Sequence, residues 1–202
     1  MTFRSNAGIC RSLIAIVRRG TRLAAAAVFA GSIISILGEP AAHAQESRSL
    51  DLGAQPGSYA CAINSNGMAV GIKDSLGLDT SHAFAWTETG GLIDLGTLGG
   101  TFSFACAVND NGMAAGYSAA PGNRAVHLFV WTSANGIVDI GSLNGDRFSA
   151  ASAINNDGMV VGTSASHAFV WTQARGLIDI GTFGDGCCSS ARAVNALGMV
   201  VG

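Results

Sequence analysis

The stretch Ala105-Cys106-Ala107-Val108-Asn109-Asp110-Asn111-Gly112-Met113-Ala114-Ala115-Gly116 decides the fold, because its frame returns along the chain. Small residues alternate up to Asn109, a turn-forming tetrapeptide follows, and an apolar run closes on a second glycine. Gly112 can take the positive φ that a tight hairpin needs, so the stretch reads as strand, turn, strand. The frame Asn-x-x-Gly-Met-x-x-Gly begins at Asn64, Asn109, Asn155 and Asn195, at spacings of 45, 46 and 40 residues.

Two further blocks keep the same period. His-x-Phe-x-Trp stands at His82/Phe84/Trp86, His127/Phe129/Trp131 and His167/Phe169/Trp171, and Asp-x-Gly at Asp51/Gly53, Asp94/Gly96, Asp139/Gly141 and Asp179/Gly181. Ten residues separate Gly71 from His82 and Gly116 from His127, against four between Gly162 and His167, so one loop absorbs the variation. By the period-2 rule His, Phe and Trp share one face of a third strand, and Ala, Leu or Val the other. Strands apolar on both faces lie between two other layers. A fourth strand follows a constant loop (87–91, 132–136, 172–176), which sets Trp86 opposite Leu92 and Phe84 opposite Asp94.

Four antiparallel strands per 40–46 residues predicts an all-β repeat architecture, β-propeller-like, with units near 54–96, 97–141 and 142–181 and a partial unit at 182–202. The paired alanines Ala60/Ala62, Ala105/Ala107, Ala151/Ala153 and Ala191/Ala193 suit an innermost strand near an axis. An open β-solenoid or sandwich stack buries the same faces. About three and a half blades is fewer than the four to eight that close a propeller, which predicts an incomplete or truncated array. The leading strand at Asp51 could join the trailing pair in one unit, sparing exposed edges.

The expected domain is 45–202, because 1–44 reads as a signal peptide. Five arginines precede the apolar run Leu23 to Leu37, and Ala42-His43-Ala44 offers a cleavage site. That run is short for a membrane span, so no stable span is expected after cleavage. The remaining domain holds six basic and twelve acidic residues. Its net charge near −6 and its lack of clustered Lys and Arg exclude a nucleic-acid binder.

The blocks His-Ala-Phe-x-Trp, Asp-[Leu/Ile]-Gly-Thr-[Leu/Phe]-Gly and Ala-x-Ala-[Ile/Val]-Asn-x-x-Gly-Met-x-x-Gly resemble the bacterial HAF repeat family of extracellular repeats across residues 50–202. His82-Ala83-Phe84 and His167-Ala168-Phe169 carry the triplet, whereas the second copy has Leu128 in place of alanine. The resemblance implies a secreted or cell-surface bacterial protein and assigns no chemistry.

No catalytic, cofactor-binding or metal-binding residue is assigned. The three histidines occupy one repeat position, a blade apart, too far for ligands about 2 Å from a shared ion. A buried His–Asp hydrogen bond within each unit is expected instead: His82–Asp94, His127–Asp139, His167–Asp179. The Asn-Asp-Asn-Gly turn hints at calcium, but its fourth copy is Asn195-Ala196-Leu197-Gly198, which turns without chelating. Cys61 and Cys106 share a repeat position, Cys187 and Cys188 are adjacent, and no CxxC spacing exists. No GxSxG elbow, P-loop or HExxH motif is present.

The leading expectation is an exported, non-enzymatic module for adhesion, envelope structure or ligand capture. Its partner would be a surface or extracellular protein or carbohydrate, met by the loops 72–81, 117–126 and 163–166. The alternatives are a propeller-type hydrolase or lyase, with Asp74, Asp79 or Asp146 as candidate acids, or a fragment of a larger autotransporter or surface protein.

Overall fold

The computed structural model describes residues 14–17, 48–52, 57–75, 80–182 and 188–202. The expected signal peptide, apart from 14–17, lies outside the described residues, as do Asp79 and Cys187. A two-stranded sheet of β1 (Ile14–Val17) and β2 (Arg48–Asp51) comes first. Three four-stranded antiparallel sheets follow, each a simple meander. Unit 1 holds β3 (Tyr59–Ile63), β4 (Ala69–Ser75), β5 (Thr80–Thr87) and β6 (Gly91–Gly96). Unit 2 holds β7 (Ser103–Val108), β8 (Ala114–Ala119), β9 (Val126–Thr132) and β10 (Gly136–Gly141). Unit 3 holds β11 (Ser149–Ile154), β12 (Val160–Ser164), β13 (His167–Thr172) and β14 (Gly176–Gly181). A last pair, β15 (Ala193–Val194) and β16 (Val200–Val201), forms its own sheet.

The architecture is therefore all-β and repetitive, with no α-helix among the described residues. The outer hairpins have the register read from the sequence: Trp86 faces Leu92 and Phe84 faces Asp94, and the equivalent pairs recur in units 2 and 3. One expectation is corrected. The leading strand β2 pairs with β1 and not with the trailing pair β15–β16, because the two lie at opposite ends of the stack.

The sheets pack face to face in chain order, β7 against β3, β4 and β5, and β11 against β7, β8 and β9. Phe129 and Trp131 of unit 2 lie on Val70, Ala83 and Ala85 of unit 1. Phe169 and Trp171 of unit 3 lie on Ala115, Leu128 and Val130 of unit 2. The two-faced third strand thus has a division of labour: large rings reach back to the preceding sheet, and small or branched side chains receive the next one. Phe84, Phe129 and Phe169 are fully buried, so the recurrent phenylalanine is the main apolar contributor to each joint.

Each unit carries two bulges. The first falls at Cys61, Cys106 or Ser152, between paired alanines of the first strand. Opposite it stand Gly71, Gly116 and Gly162, where a Cβ would fall on the carbonyl oxygen of Tyr59, Phe104 or Ala150 and press on the ring of Phe84, Phe129 or Phe169. Close approach of backbone and ring, not a positive φ, demands glycine there. The second bulge, at Leu95, Ile140 and Ile180, turns on Gly96, Gly141 and Gly181 with φ near +80°. The length difference between copies resides in the loop after the second strand. Unit 2 places a 3-10 turn there (Pro121–Asn123), while unit 3 closes tightly through Ala165 and Ser166, both at positive φ.

Candidate functional site

At one end of the stack the four Asn-x-x-Gly turns lie directly on one another. The first three asparagines work in two directions. Asn109 Oδ1 accepts from the N–H of Asn111 (3.1 Å) and Met113 (2.9 Å) within its own turn, while Nδ2 donates to the carbonyl of Asn155 (3.0 Å) in the next. Asn64 donates likewise to Asn109 O (2.8 Å), and Asn155 to Asn195 O (3.0 Å). A second rung runs alongside, from Ser65 N to Asp110 Oδ1 (2.8 Å) and from Asp110 N to Asn156 Oδ1 (2.9 Å). Asn156 Nδ2 binds Asp110 Oδ2 (3.0 Å), and this contact together with the Ser65 N–H holds the Asp110 carboxyl below its ordinary range. The oxygens that suggested calcium are therefore engaged between neighbouring turns. Equivalent positions, expected a blade apart, touch here.

A serine stands at or shortly before the start of each first strand, and Ser103 and Ser189 link neighbouring units. Ser103 Oγ accepts from Ala83 N (2.8 Å) and donates to Gly96 O (2.5 Å), two groups that the second bulge of unit 1 leaves unpaired. Ser189 makes the same bonds to Ala168 N (2.8 Å) and Gly181 O (2.5 Å). Buried Ser149 meets Ser164 (2.7 Å). Ser103 and Ser189 satisfy main-chain groups whose isolation would cost about 1–3 kcal/mol each.

The His–Asp pairs exist, at 3.0, 2.9 and 2.7 Å in units 1 to 3, but they are not buried. His127 and Asp139 side chains are 29% and 46% exposed, because both stand on the outer hairpin near the sheet edge. Each aspartate also caps its bulge: Asp94, Asp139 and Asp179 Oδ1 accept from Gly96, Gly141 and Gly181 N–H at 2.8, 2.7 and 2.7 Å. For Asp179 the Gly181 N–H and then the His167 bond hold the carboxyl below its ordinary value. For Asp94 burial pushes upward, but Gly96 N–H, His82 and Lys73 together bring it down. A carboxyl lowered in the folded state contributes stability that is present above the unfolded pKa of about 3.9 and is lost as pH falls through the folded value. Stability of the protein is expected to drop in acid below about pH 4, with a shallower drop in Asp179→Ala, measured by thermal unfolding across a pH series. Asp139→Ala should cost more than His127→Ala, since it removes a bulge cap as well as an exposed pair.

Cys61 and Cys106 are not bridged to each other. Cys106 Sγ donates to the Ala151 carbonyl (3.0 Å), and burial pushes its pKa up to about 12, which removes thiolate reactivity. Asp74 lies in β4, its N–H bound to Ser58 Oγ (3.0 Å), and Asp146 ends a 3-10 turn through its own N–H. Among the described residues no group of three or more His, Cys, Asp or Glu side chains could hold a metal ion. No helix among them is long and apolar enough to cross a membrane.

The other end of the stack carries aromatic side chains. Tyr59 contacts Phe104 (centroids 5.4 Å apart), Phe104 contacts Tyr117 (5.4 Å), and Tyr117 meets both Phe102 (6.5 Å) and Phe148 (6.3 Å). This run crosses all three units, and its outer members stay open, Tyr59 at 51% and Phe148 at 58% exposure. The repeat does not require it, since the position of Phe104 is taken by Ala150 in unit 3 and that of Tyr117 by Thr163. Sequence reading missed it because it recurs only in part: Tyr59 and Phe104 share one repeat position and Phe102 and Phe148 another, but neither position is aromatic in every copy. The serine position could have been found, as Ser58, Ser103, Ser149 and Ser189 follow the same 45, 46 and 40 spacing as the asparagines, although only Ser103 and Ser189 bridge units. Comparison with family models, curated proteins and solved structures found no match.

Proposed function

We propose that this chain is an exported, non-enzymatic β-repeat protein with propeller-like curvature, and that it captures an extracellular polysaccharide on the aromatic run of Tyr59, Phe104, Tyr117 and Phe148. The observation that carries the reading is a division of roles. The recurrent Asn, His and Asp side chains are engaged in hydrogen bonds of the scaffold, whereas partly open aromatic rings gather at strand ends away from the asparagine turns. Contiguous exposed aromatics on a rigid sheet stack favour a ligand with flat apolar faces rimmed by hydroxyls, and Tyr59 and Tyr117 supply both a ring and a hydroxyl. Export rests on the arginine-rich start, the apolar run and Ala42-His43-Ala44.

Affinity electrophoresis through gels containing soluble β-glucan, xylan or dextran tests this. Retardation by at least one polymer is expected, and Tyr59→Ala combined with Phe148→Ala should weaken it by roughly tenfold or more while leaving thermal unfolding unchanged. Migration unaffected by all three polymers, or retardation that survives the double substitution, would defeat the reading.

A further inference from the structure

We infer that the methionine of each turn makes the joints between units a peroxide-sensitive seam: oxidation of Sδ to the sulfoxide loosens the stack, and reduction restores it. All four methionines after Met1 (Met68, Met113, Met159 and Met199) stand at one repeat position, directly behind the turn glycine. Three of them rest on the next turn. Met68 Sδ lies 3.8 Å from where a Cβ on Gly112 would be, Met113 Sδ 3.4 Å from that point on Gly158, and Met159 Cε 3.4 Å from it on Gly198. The other side of the methionine meets the core. Met68 belongs to the cluster that holds Phe129 and Trp131 of unit 2, and Met113 packs against the one that holds Phe169 and Trp171 of unit 3.

These methionines are also tied into the asparagine rung. Met113 N–H donates to Asn109 Oδ1 (2.9 Å), its carbonyl accepts from Asn109 N–H (3.0 Å), and Asn109 Nδ2 reaches the Asn155 carbonyl (3.0 Å). Met159 is held to Asn155 by the same two bonds, at 2.9 and 3.1 Å. A methionine forced off the next turn therefore pulls on the bond between units. The thioether suits its place because it is apolar and adaptable, whereas the sulfoxide is polar and one oxygen larger. The glycine beneath offers that oxygen no spare donor: Gly112 N–H already donates to the Asn109 carbonyl (3.1 Å) and Gly158 N–H to that of Asn155 (3.0 Å). Turning to water satisfies the oxygen only by lifting the side chain off the glycine. Met113 and Met159 are partly exposed and Met68 is buried, so peroxide reaches the first two sooner. In the step itself the sulfur lone pair attacks one oxygen of hydrogen peroxide, the O–O bond breaks and an S–O bond forms. The other oxygen leaves as water with the transferred oxygen's proton, so sulfur is oxidised by two electrons and the peroxide reduced.

The test treats the full chain with hydrogen peroxide, then with dithiothreitol to reverse disulfides and sulfenates at the cysteines, and follows thermal unfolding beside peptide mass mapping. Met113 and Met159 are expected to gain oxygen ahead of Met68. The melting temperature should fall by roughly 4–8 °C, and methionine sulfoxide reductases should bring it back. The triple variant Met68→Leu, Met113→Leu, Met159→Leu keeps the apolar volume and removes the sulfur, so its melting temperature should not respond to peroxide. Met113→Leu alone should keep only part of the wild-type shift, which preserves the test if the triple variant does not fold. Methionines that resist peroxide in the folded protein, oxidised Met113 and Met159 with an unchanged melting temperature, or a shift that the reductases leave in place would each overturn the inference. So would a shift as large in the leucine variants as in the wild type, which would assign the effect to other residues. The aromatic run lies at the other end of the stack, so polysaccharide retardation is read separately.

Discussion

Gly116→Ala is expected to destabilise the protein by about 3 kcal/mol, the cost of forcing atoms into a site already at contact distance. The new Cβ would fall on the Phe104 carbonyl and lie 2.8 Å from Phe129 Cζ and 2.9 Å from Ala105 Cα. None of these can retreat cheaply. Phe104 and Ala105 lead into the bulge at Cys106, and Phe129 is fully buried against unit 1. The strain therefore passes into the joint as well as the sheet. For a domain of this size about 3 kcal/mol corresponds to a melting temperature lower by roughly 6–12 °C. Gly136→Ala is the control: nothing lies within 4 Å of its Cβ position, and only its φ of +67° opposes alanine, at about 1–2 kcal/mol. Equal losses for the two variants would show that conformation, not close approach, explains the second-strand glycine.

Asn109→Leu is expected to cost about 3–4 kcal/mol, because it strips partners from three main-chain groups at once. Asn111 N and Met113 N lose their acceptor and the Asn155 carbonyl one of its two donors, the other being Gly158 N–H, at a residue only 4% exposed. Asn109→Asp separates the local half of the role from the one between units. It retains the turn acceptor but sets a carboxylate against the Asn155 carbonyl, which raises its pKa above the unfolded value of about 3.9. With a raised folded value, the stability is fully present below the unfolded pKa and is lost as pH rises through the folded one. The destabilisation of Asn109→Asp relative to wild type should thus be smaller at pH 4 than at pH 7, where Asn109→Leu shows no such trend. Chemical denaturation of the three proteins at both pH values measures it.

The hairpin register was legible because Trp86 to Leu92 and its equivalents are separated by a constant loop, and constant local spacing fixes which residues oppose. The His–Asp pairing followed from that register. Its exposure did not, since burial of a strand end depends on what the neighbouring sheet covers. Asn109 illustrates the harder limit. Its bonds within the turn and between turns demand the same residue at the same period, so recurrence alone cannot reveal the second role. The aromatic run was illegible for a different reason: Tyr59 and Phe104 share a repeat position and Phe104 faces Tyr117 within one sheet, but the third copy has Ala150 and Thr163 at those positions, and only stacking brings Phe148 onto Tyr117.

Because each turn hands the same amide to the same carbonyl, the joints are interchangeable. Excising the segment from Asn64 to Val108, or duplicating it, would leave the asparagine rung unbroken, whereas duplication would set Ser65 where Asp110 accepts and lose that part of the second rung. A gene encoding this chain can therefore gain or lose a copy through unequal recombination and keep the asparagine rung, so the length of the array becomes a quantity that selection adjusts one period at a time.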